Sequence, residues 1–584
     1  MPSPTRPLRR ALGGALLASL LAAGPAAAQG LAGPYLAGEH AAQRGDIVAA
    51  AEYYARAMAR DSSNAGLVER AMTHQLAAGR YPQAVALARQ VDALQPGQHL
   101  AVLVLASDAL RAGAADRALD ALPEDTAPFV GRLLRAWALN DAGRIDEAVD
   151  ALETLAASGE GGPAGKMLAE YHIALVEAAA GDDADAAEAI ARAAEGLGGS
   201  DPRLVEVQAA ILARLGRGEE ALEAIATLRG RGRTTPALDS LAERIEGGDR
   251  PEATIVTGAA GGAEALFGVA RHLMNGPNWV VGIAYARLAT YLQPDFVAAH
   301  MLIGDTLFAQ EQYDLAIAAY EAVPDGVPEA IEARIGRANA LAGDDKLAEA
   351  VAALRGLVAR HPDRSDTHTA LGDVLRRNER FAEAAAAYDG AVALIEEPES
   401  RHWPLYYQRG ISYERADQWP KAEADLLKAL ELQPGQPLVL NYLGYSWVDM
   451  GMHLDRALGM IEEAVEQRPN DGYIVDSLGW VKYRLGDFEA AVEHLGRAVE
   501  LSPVDPVIND HFGDALWMVG RKVEAEFQWR RALSFDPEEE DAERIRRKLA
   551  VGLDAVQAAE AEAGKPAVIG RTETAPGDDD NDGG

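Results

Sequence analysis

Residues 437–537 read PLVLNYLGYSWVDMGMHLDRALGMIEEAVEQRP, then NDGYIVDSLGWVKYRLGDFEAAVEHLGRAVELSP, then VDPVINDHFGDALWMVGRKVEAEFQWRRALSFDP. The three segments share one template. Gly444, Gly479 and Gly513 each follow a large apolar residue, Leu443, Leu478 and Phe512. An alanine comes 12 or 13 places later (Ala457, Ala491, Ala525), another seven places on (Ala464, Ala498, Ala532), and a proline five places beyond that (Pro469, Pro503, Pro537). The glycines are separated by 35 and 34 residues. A fixed period of that length is the mark of stacked helical hairpins.

Each feature has a physical reason. A glycine inside a helix costs about 1 kcal/mol relative to alanine, which is tolerable where a second helix must approach closely. The alanines allow the same approach from the other side. Gly486 and Gly520 fall where the chain reverses, a place for a residue free to take positive φ. The proline ends the second helix, because it cannot continue one and restrains the residue before it. Such a hairpin is too small to bury its own apolar face and must stack on its neighbours. The expected fold is all-α, a solenoid of about 14 hairpins in two blocks.

The pattern resembles the tetratricopeptide repeat (TPR). Within it, Leu443-Gly444-Tyr445, Asp476-Ser477-Leu478-Gly479-Trp480, Tyr483-Arg484-Leu485-Gly486 and Leu516-Trp517 with Trp529 are similar to a narrower group of Gram-negative periplasmic TPR proteins. That group includes an outer-membrane adaptor lipoprotein, which partners a carboxy-terminal processing protease and helps it degrade cell-wall hydrolases. The narrow resemblance covers about the last hundred repeat residues; the general one covers most of the chain.

The chain has 584 residues, 48% hydrophobic and 25% charged, and no cysteine. The absence of cysteine excludes disulfides, thiolate metal sites, a cysteine nucleophile and a lipid-modified N-terminal cysteine, so the lipoprotein's anchor is not matched. Residues 1–28 read as a secretory signal: Arg6, Arg9 and Arg10, an apolar run from Ala11 to Ala23, and Ala26-Ala27-Ala28 before Gln29 as the cleavage site. With no other uninterrupted apolar span, the mature chain is expected to carry no transmembrane segment and, if the source is Gram-negative, to lie in the periplasm. The formal charge of −35 disfavours nucleic acid and anionic lipid and favours basic partners or simple solubility.

From Leu31 the template runs in degenerate form, with Gly38, Gly45, Ala50, Tyr54 and Ala57 in the first hairpin. Turn glycines then precede an alanine by five residues at Gly79, Gly113, Gly143, Gly181 and Gly216, so residues 29–230 form an N-terminal block. Residues 231–262 break the pattern: Gly247-Gly248 and Gly258-Ala259-Ala260-Gly261-Gly262 flank Thr254-Ile255-Val256, and the stretch reads as a linker or hinge. A second block covers 263–537, with Gly304, Gly336, Gly372 and Gly410 leading into the three segments quoted above. Residues 538–563 read as one amphipathic capping helix, and the acidic tail 564–584 as disordered.

No catalytic, cofactor or metal constellation stands out. The histidines lack metal-ligand spacing, and Gly165-Lys166 lacks the first glycine and the Ser/Thr of a phosphate loop. Almost no length remains outside the repeats, so an enzyme is not expected. Six of eight tryptophans fall between Trp403 and Trp529. Trp447 and Trp529 read as core. On the TPR template, positions 2, 5, 9, 12 and 13 of each first helix line the concave face, which the resemblance carries onto Tyr407, Arg415, Asn441, Tyr445, Tyr473, Asp476, Trp480, Tyr483, Arg484, Asp510 and Trp517, with Asp514 beside them. Aromatics and arginine anchor interfaces. The lysine clamp for chaperone C-termini is not matched, since position 5 holds Tyr407, Asn441, Asp476 and Asp510. The resemblance implies an exported scaffold binding periplasmic or cell-envelope proteins or peptides, in peripheral association with the envelope, as an adaptor for a protease. The alternative is an accessory protein of polysaccharide export or modification, holding glycan in the same aromatic groove.

Overall fold

The computed structural model describes residues 30–197, 201–253, 255–274 and 276–562. The stretches read from sequence as a signal segment (1–28) and a disordered tail (564–584) lie outside them. The described residues are 77% helical, with 31 α-helices and no strand among them. No described helix is long and apolar enough to cross a membrane. Contacts divide the chain into two compact units, residues 1–362 and 363–584.

One packing rule recurs in both units. A Cβ built on the first-helix glycine would strike a large side chain 16 or 17 residues later: Tyr54 at 3.0 Å from Gly38, Tyr320 at 2.6 Å from Gly304, Tyr388 at 2.5 Å from Gly372, Ile461 at 2.8 Å from Gly444, Leu495 at 2.6 Å from Gly479 and Trp529 at 2.5 Å from Gly513. The close approach thus admits a bulky residue one turn beyond the alanine. The alanine's own carbonyl stands close as well, 3.0 Å at Ala457. The residue after the glycine selects the bulky one. Where it is acidic, the partner is aromatic and its polar tip donates to that acid: Tyr54 to Glu39 (3.0 Å), Tyr320 to Asp305 (2.7 Å), Tyr388 to Asp373 (2.6 Å) and Trp529 to Asp514 (2.9 Å). Where it is Ile411, Tyr445 or Trp480, the partner is aliphatic (Leu426, Ile461, Leu495). A buried Tyr or Trp needs a hydrogen-bond partner, so the two positions change together.

The turns take positive φ as expected at Gly486 (81°) and Gly520 (82°). Glu311, Glu379 and Asp417 make the same turn without glycine, at φ between 58° and 61°.

The first unit departs from the expected organisation. Residues 258–262, read from sequence as part of a linker, open the helix Gly258–Met274, and Gly258, Gly261 and Gly262 are buried. This helix packs on His99–Arg111, Phe129–Asp141 and Gly162–Ala180, and its partner Trp279–Leu292 packs on Ala65–Ala77 and His99–Arg111. The hairpin lies across first helices of earlier repeats and belongs to their unit. The division between units falls at 362/363 rather than at 231–262. The glycines serve close contact: a Cβ on Gly261 would lie 1.9 Å from the Trp137 ring, and one on Gly258 would lie 2.4 Å from Asp141 Oδ2. Trp137 is fully buried and donates from its indole to His172 Nδ1 at 3.0 Å.

Burial pushes the His172 pKa down to about 3. The unfolded chain binds a proton on this histidine below about pH 6.5 and the folded chain does not, so stability falls as pH drops between those values, by at most about 1.4 kcal/mol per pH unit. Urea melts at pH 6.5 and 4.5 should show the wild-type first unit losing about 2–3 kcal/mol more than His172→Gln does. Equal losses would mean that His172 is not held neutral.

The C-terminal end is a helix pair where one capping helix was expected. Gly552, at φ 84°, separates Glu539–Val551 from Leu553–Glu562. A Cβ there would lie 2.8 Å from Trp517.

Candidate functional site: the first-helix face of the C-terminal repeats

Four first helices carry the residues singled out from sequence: Trp403–Arg415, Pro437–Asp449, Gly472–Arg484 and Pro506–Met518. Their inward polar groups pair across repeats at one-period spacing. Arg484 donates to Asp449 (3.0 Å), 35 residues away. His511 Nδ1 stands 3.1 Å from both Asp476 oxygens, again 35 residues away. Lys548 Nζ reaches Asp510 at 2.7 Å and Asp514 at 2.6 Å, with Arg544 3.5 Å from each. A carboxylate on one first helix is therefore held by a basic side chain on the next.

The cluster around Lys548 is secluded. The Lys548 side chain is 0% exposed, and so is that of Asp514. Burial pushes the Asp514 carboxyl up, with Lys548 acting against that rise. Burial alone would lower the His511 pKa, but the Asp476 carboxylate lifts it above its ordinary value.

The residues expected to face a partner therefore separate into two groups. Asn441, Asp476, Arg484 and Asp510 are buried, the last three in the inter-repeat pairs. Tyr483 is also buried, at 1% exposure, which corrects its expected place in the open groove. Its ring stacks on Trp480 (4.8 Å, 11°), and its hydroxyl takes a 2.6 Å bond from Gln557 of the terminal helix Leu553–Glu562. That helix also accepts the Trp517 indole on Asp554 (3.1 Å) and pairs Glu560 with Arg544 (2.8 Å). Trp447 and Trp529 are core, as expected.

Tyr407, Tyr445, Trp480 and Trp517 remain partly accessible, and Arg415 and Tyr473 are exposed. Trp480 lies between Tyr483 and His511, whose ring is 4.0 Å away and nearly parallel. Tyr407 meets Tyr442 edge-on at 6.0 Å, and burial pushes its hydroxyl up to about 12. The Arg415 guanidinium sits 4.8 Å over Phe381. The arrangement offers aromatic faces fixed by stacking and pairing. The face holds no nucleophile–base pair, and the one group of three metal-capable side chains among the described residues is Glu177, Asp182 and Asp185 in the first unit. His511, Asp449, Arg544 and Lys548 were not picked out from sequence, although each stands about one period from its partner.

Tetratricopeptide-repeat models match residues 133–202, 282–331 and 335–397, and a second such model matches 476–505. The matched stretches are tetratricopeptide repeats, and the hairpin geometry above continues beyond them as an all-helical solenoid. Among curated proteins it is similar to the TPR repeat-containing protein PA4667 of Pseudomonas aeruginosa, 31% identical over 110 residues, which are 19% of this chain and 18% of that one. It is also similar to the BBSome complex member BBS4 of Bos taurus, 30% identical over 105 residues, 18% of this chain and 20% of that one. The matched stretch thus spans a fifth or less of these relatives. Solved structures with likeness include the APC/C hetero-tetramer Cut9-Hcn1 (14% identity, 90% of this chain and 97% of that one, TM-score 0.38). MamA is another (22% identity, 29% and 95%, TM-score 0.25).

Proposed function

We propose that this chain is an exported scaffold whose C-terminal repeats hold a protein partner, as an adaptor for a periplasmic protease or another cell-envelope complex. The observation that carries the reading is the run of accessible aromatics on successive first helices, Tyr407, Tyr445, Trp480 and Trp517, beside polar groups already bonded between repeats. Rigid aromatic faces whose polar neighbours are already paired lose little entropy on binding and make good anchors. The resemblance of these repeats to the periplasmic adaptor group supports the protease version, and the signal-like residues 1–28 support export. A scaffold of this kind has no catalytic role of its own.

The test is capture from cross-linked envelope extracts with the tagged full-length chain, read by mass spectrometry. The wild type should enrich a processing protease or its envelope partners. Tyr445→Ala with Trp480→Ala should lower affinity for that partner by roughly thirty-fold, the effect of losing about 2 kcal/mol at an anchor, while the helical signal is kept. Undiminished capture by the double variant would remove this face from the site. Exported protein should begin at or near Gln29 by intact mass; a periplasmic form retaining residues 1–28 would contradict the export reading.

A further inference from the structure

The C-terminal end of the first-helix face is covered by the chain's own last described helix, Leu553–Glu562. The repeat stack does not need it for closure. Glu539–Val551 already packs on Lys522–Leu533 and buries Ala542 and Ile545, which is what the end of a solenoid requires. After the break at Gly552 the chain turns back over the groove between Gly472–Arg484, Pro506–Met518 and Glu539–Val551. There only Leu553 and Val556 are buried, while Ala555, Ala558, Ala559 and Ala561 are exposed. A helix of ten residues is marginal in water, so this one is held by what it touches.

Its contacts are polar and evenly spaced. Asp554, Gln557 and Glu560 stand three residues apart, on one side of the helix. Asp554 accepts the Trp517 indole at 3.1 Å and lies 3.7 Å from Lys522, whose ammonium sits 4.2 Å over the same ring. Gln557 donates to the Tyr483 hydroxyl at 2.6 Å. Glu560 accepts from Arg544 through Nε (2.8 Å) and a terminal nitrogen (3.3 Å), a bidentate pairing. Residues 553–562 include two glutamates, an aspartate and no basic residue. The hold is thus a few polar bonds around two apolar anchors, joined to the stack through one glycine. Tyr483 stacks on Trp480 at 4.8 Å, so the covered end continues into the accessible aromatics.

We propose that Leu553–Glu562 stands in the place of a partner's helix: this groove takes a short acidic amphipathic helix, and the partner's helix enters by displacing the chain's own. The assignment rests on the C-terminal face being a partner site and adds what the partner must carry. That is two apolar residues three apart, a carboxylate for Trp517 and Lys522, an amide for Tyr483 and a second carboxylate for Arg544, laid in as a helix in a groove. The tethered helix also sets a threshold. Joined by a single residue, it presents itself at an effective concentration of about 1 mM, so an incoming helix with a Kd of about 0.1 mM is held back about tenfold.

The experiment uses the full-length chain and a fluorescein-labelled, end-capped peptide of residues 553–562, read by anisotropy. Val556→Asp with Gln557→Ala releases the tethered helix. Gln557→Ala with Glu560→Ala, which removes no apolar contact, is a second and milder release. The peptide should bind the first variant about tenfold more tightly than it binds the wild type, with the second variant between them. Amide exchange in 553–562 should quicken in both variants while the melting curve of the repeats is unchanged. A peptide carrying Asp554→Asn and Glu560→Gln should bind the released chain about tenfold more weakly, because it lacks the charge-assisted bonds. The proposal falls if wild type and both variants take the peptide alike, if both peptides bind alike, or if neither binds at millimolar concentration. The peptide belongs to this chain, so its binding does not depend on the partner's identity. Peptide binding without capture of an envelope partner would remove the adaptor reading and leave the groove; capture through Tyr445 and Trp480 without peptide binding would remove the groove alone.

Discussion

Lys548→Met is expected to cost the second unit about 3–5 kcal/mol, the penalty for removing one member of a buried ion pair. Lys548 Nζ is the shared donor to Asp510 and Asp514, and none of its side chain reaches solvent. Methionine fills a similar volume, so the loss is electrostatic rather than a cavity. Two carboxylates would remain in a dry site with only Arg544 nearby, 3.5 Å from each. They would respond by taking up a proton. A carboxyl whose folded pKa is raised contributes stability that is present at low pH and lost as pH rises through that value. The variant's deficit, measured by urea titration against wild type, should therefore shrink on going from pH 7.5 to pH 5. Adding Asp514→Asn should recover part of the loss at pH 7.5, since asparagine still accepts the Trp529 indole that Asp514 now takes at 2.9 Å. A deficit below about 1 kcal/mol, the ordinary value for an exposed pair, would mean that water reaches this cluster.

The same pairs show where sequence reasoning reached its limit. The period, the all-helical fold, the first-helix glycines and the positive-φ turns at Gly486 and Gly520 were all legible, because each depends on residues within one hairpin. So was the burial of Trp447 and Trp529. The fate of Asp476, Arg484 and Asp510 was not. The template gives the face on which a residue lies, and it is silent on what the next repeat brings to that face. The signal was nonetheless present: Asp476 and His511 are 35 residues apart, and Asp514 and Lys548 are 34 apart. Opposite charges one period apart on first helices mark contacts between repeats, and a search for such pairs would have moved three residues out of the partner-facing set. Tyr483 was misplaced for another reason. It is covered by Leu553–Glu562, and the break at Gly552 that lets this helix fold back lay inside what read as one continuous cap. The alternation found at Asp514 with Trp529 and at Trp480 with Leu495 is a further local rule. It distinguishes a first helix that supplies an acid to a buried ring from one that presents its own ring.

Gly261→Ala tests the largest departure from sequence expectation. Were residues 258–262 a solvated hinge, alanine would stabilise the chain, because it is the better helix former by about 1 kcal/mol. The structure predicts the opposite sign. The new methyl would lie 1.9 Å from two atoms of the Trp137 ring. That ring is fully buried and fixed by its indole bond to His172 at 3.0 Å, so it cannot swing aside without leaving a buried donor unpaired. Overpacking of this kind costs about 1–3 kcal/mol and more where the neighbour cannot yield; a loss of about 3 kcal/mol or more is expected here. Trp137→Phe in the Gly261→Ala background should recover part of it, because the smaller ring leaves room and needs no partner, although alone it leaves a cavity and costs stability. Contacting residues should be non-additive in this way. Chemical denaturation of the four proteins, followed by first-unit amide exchange, gives the coupling directly. A stabilised Gly261→Ala variant, or strictly additive effects, would return residues 258–262 to a hinge and detach the Gly258–Met274 helix from the first unit.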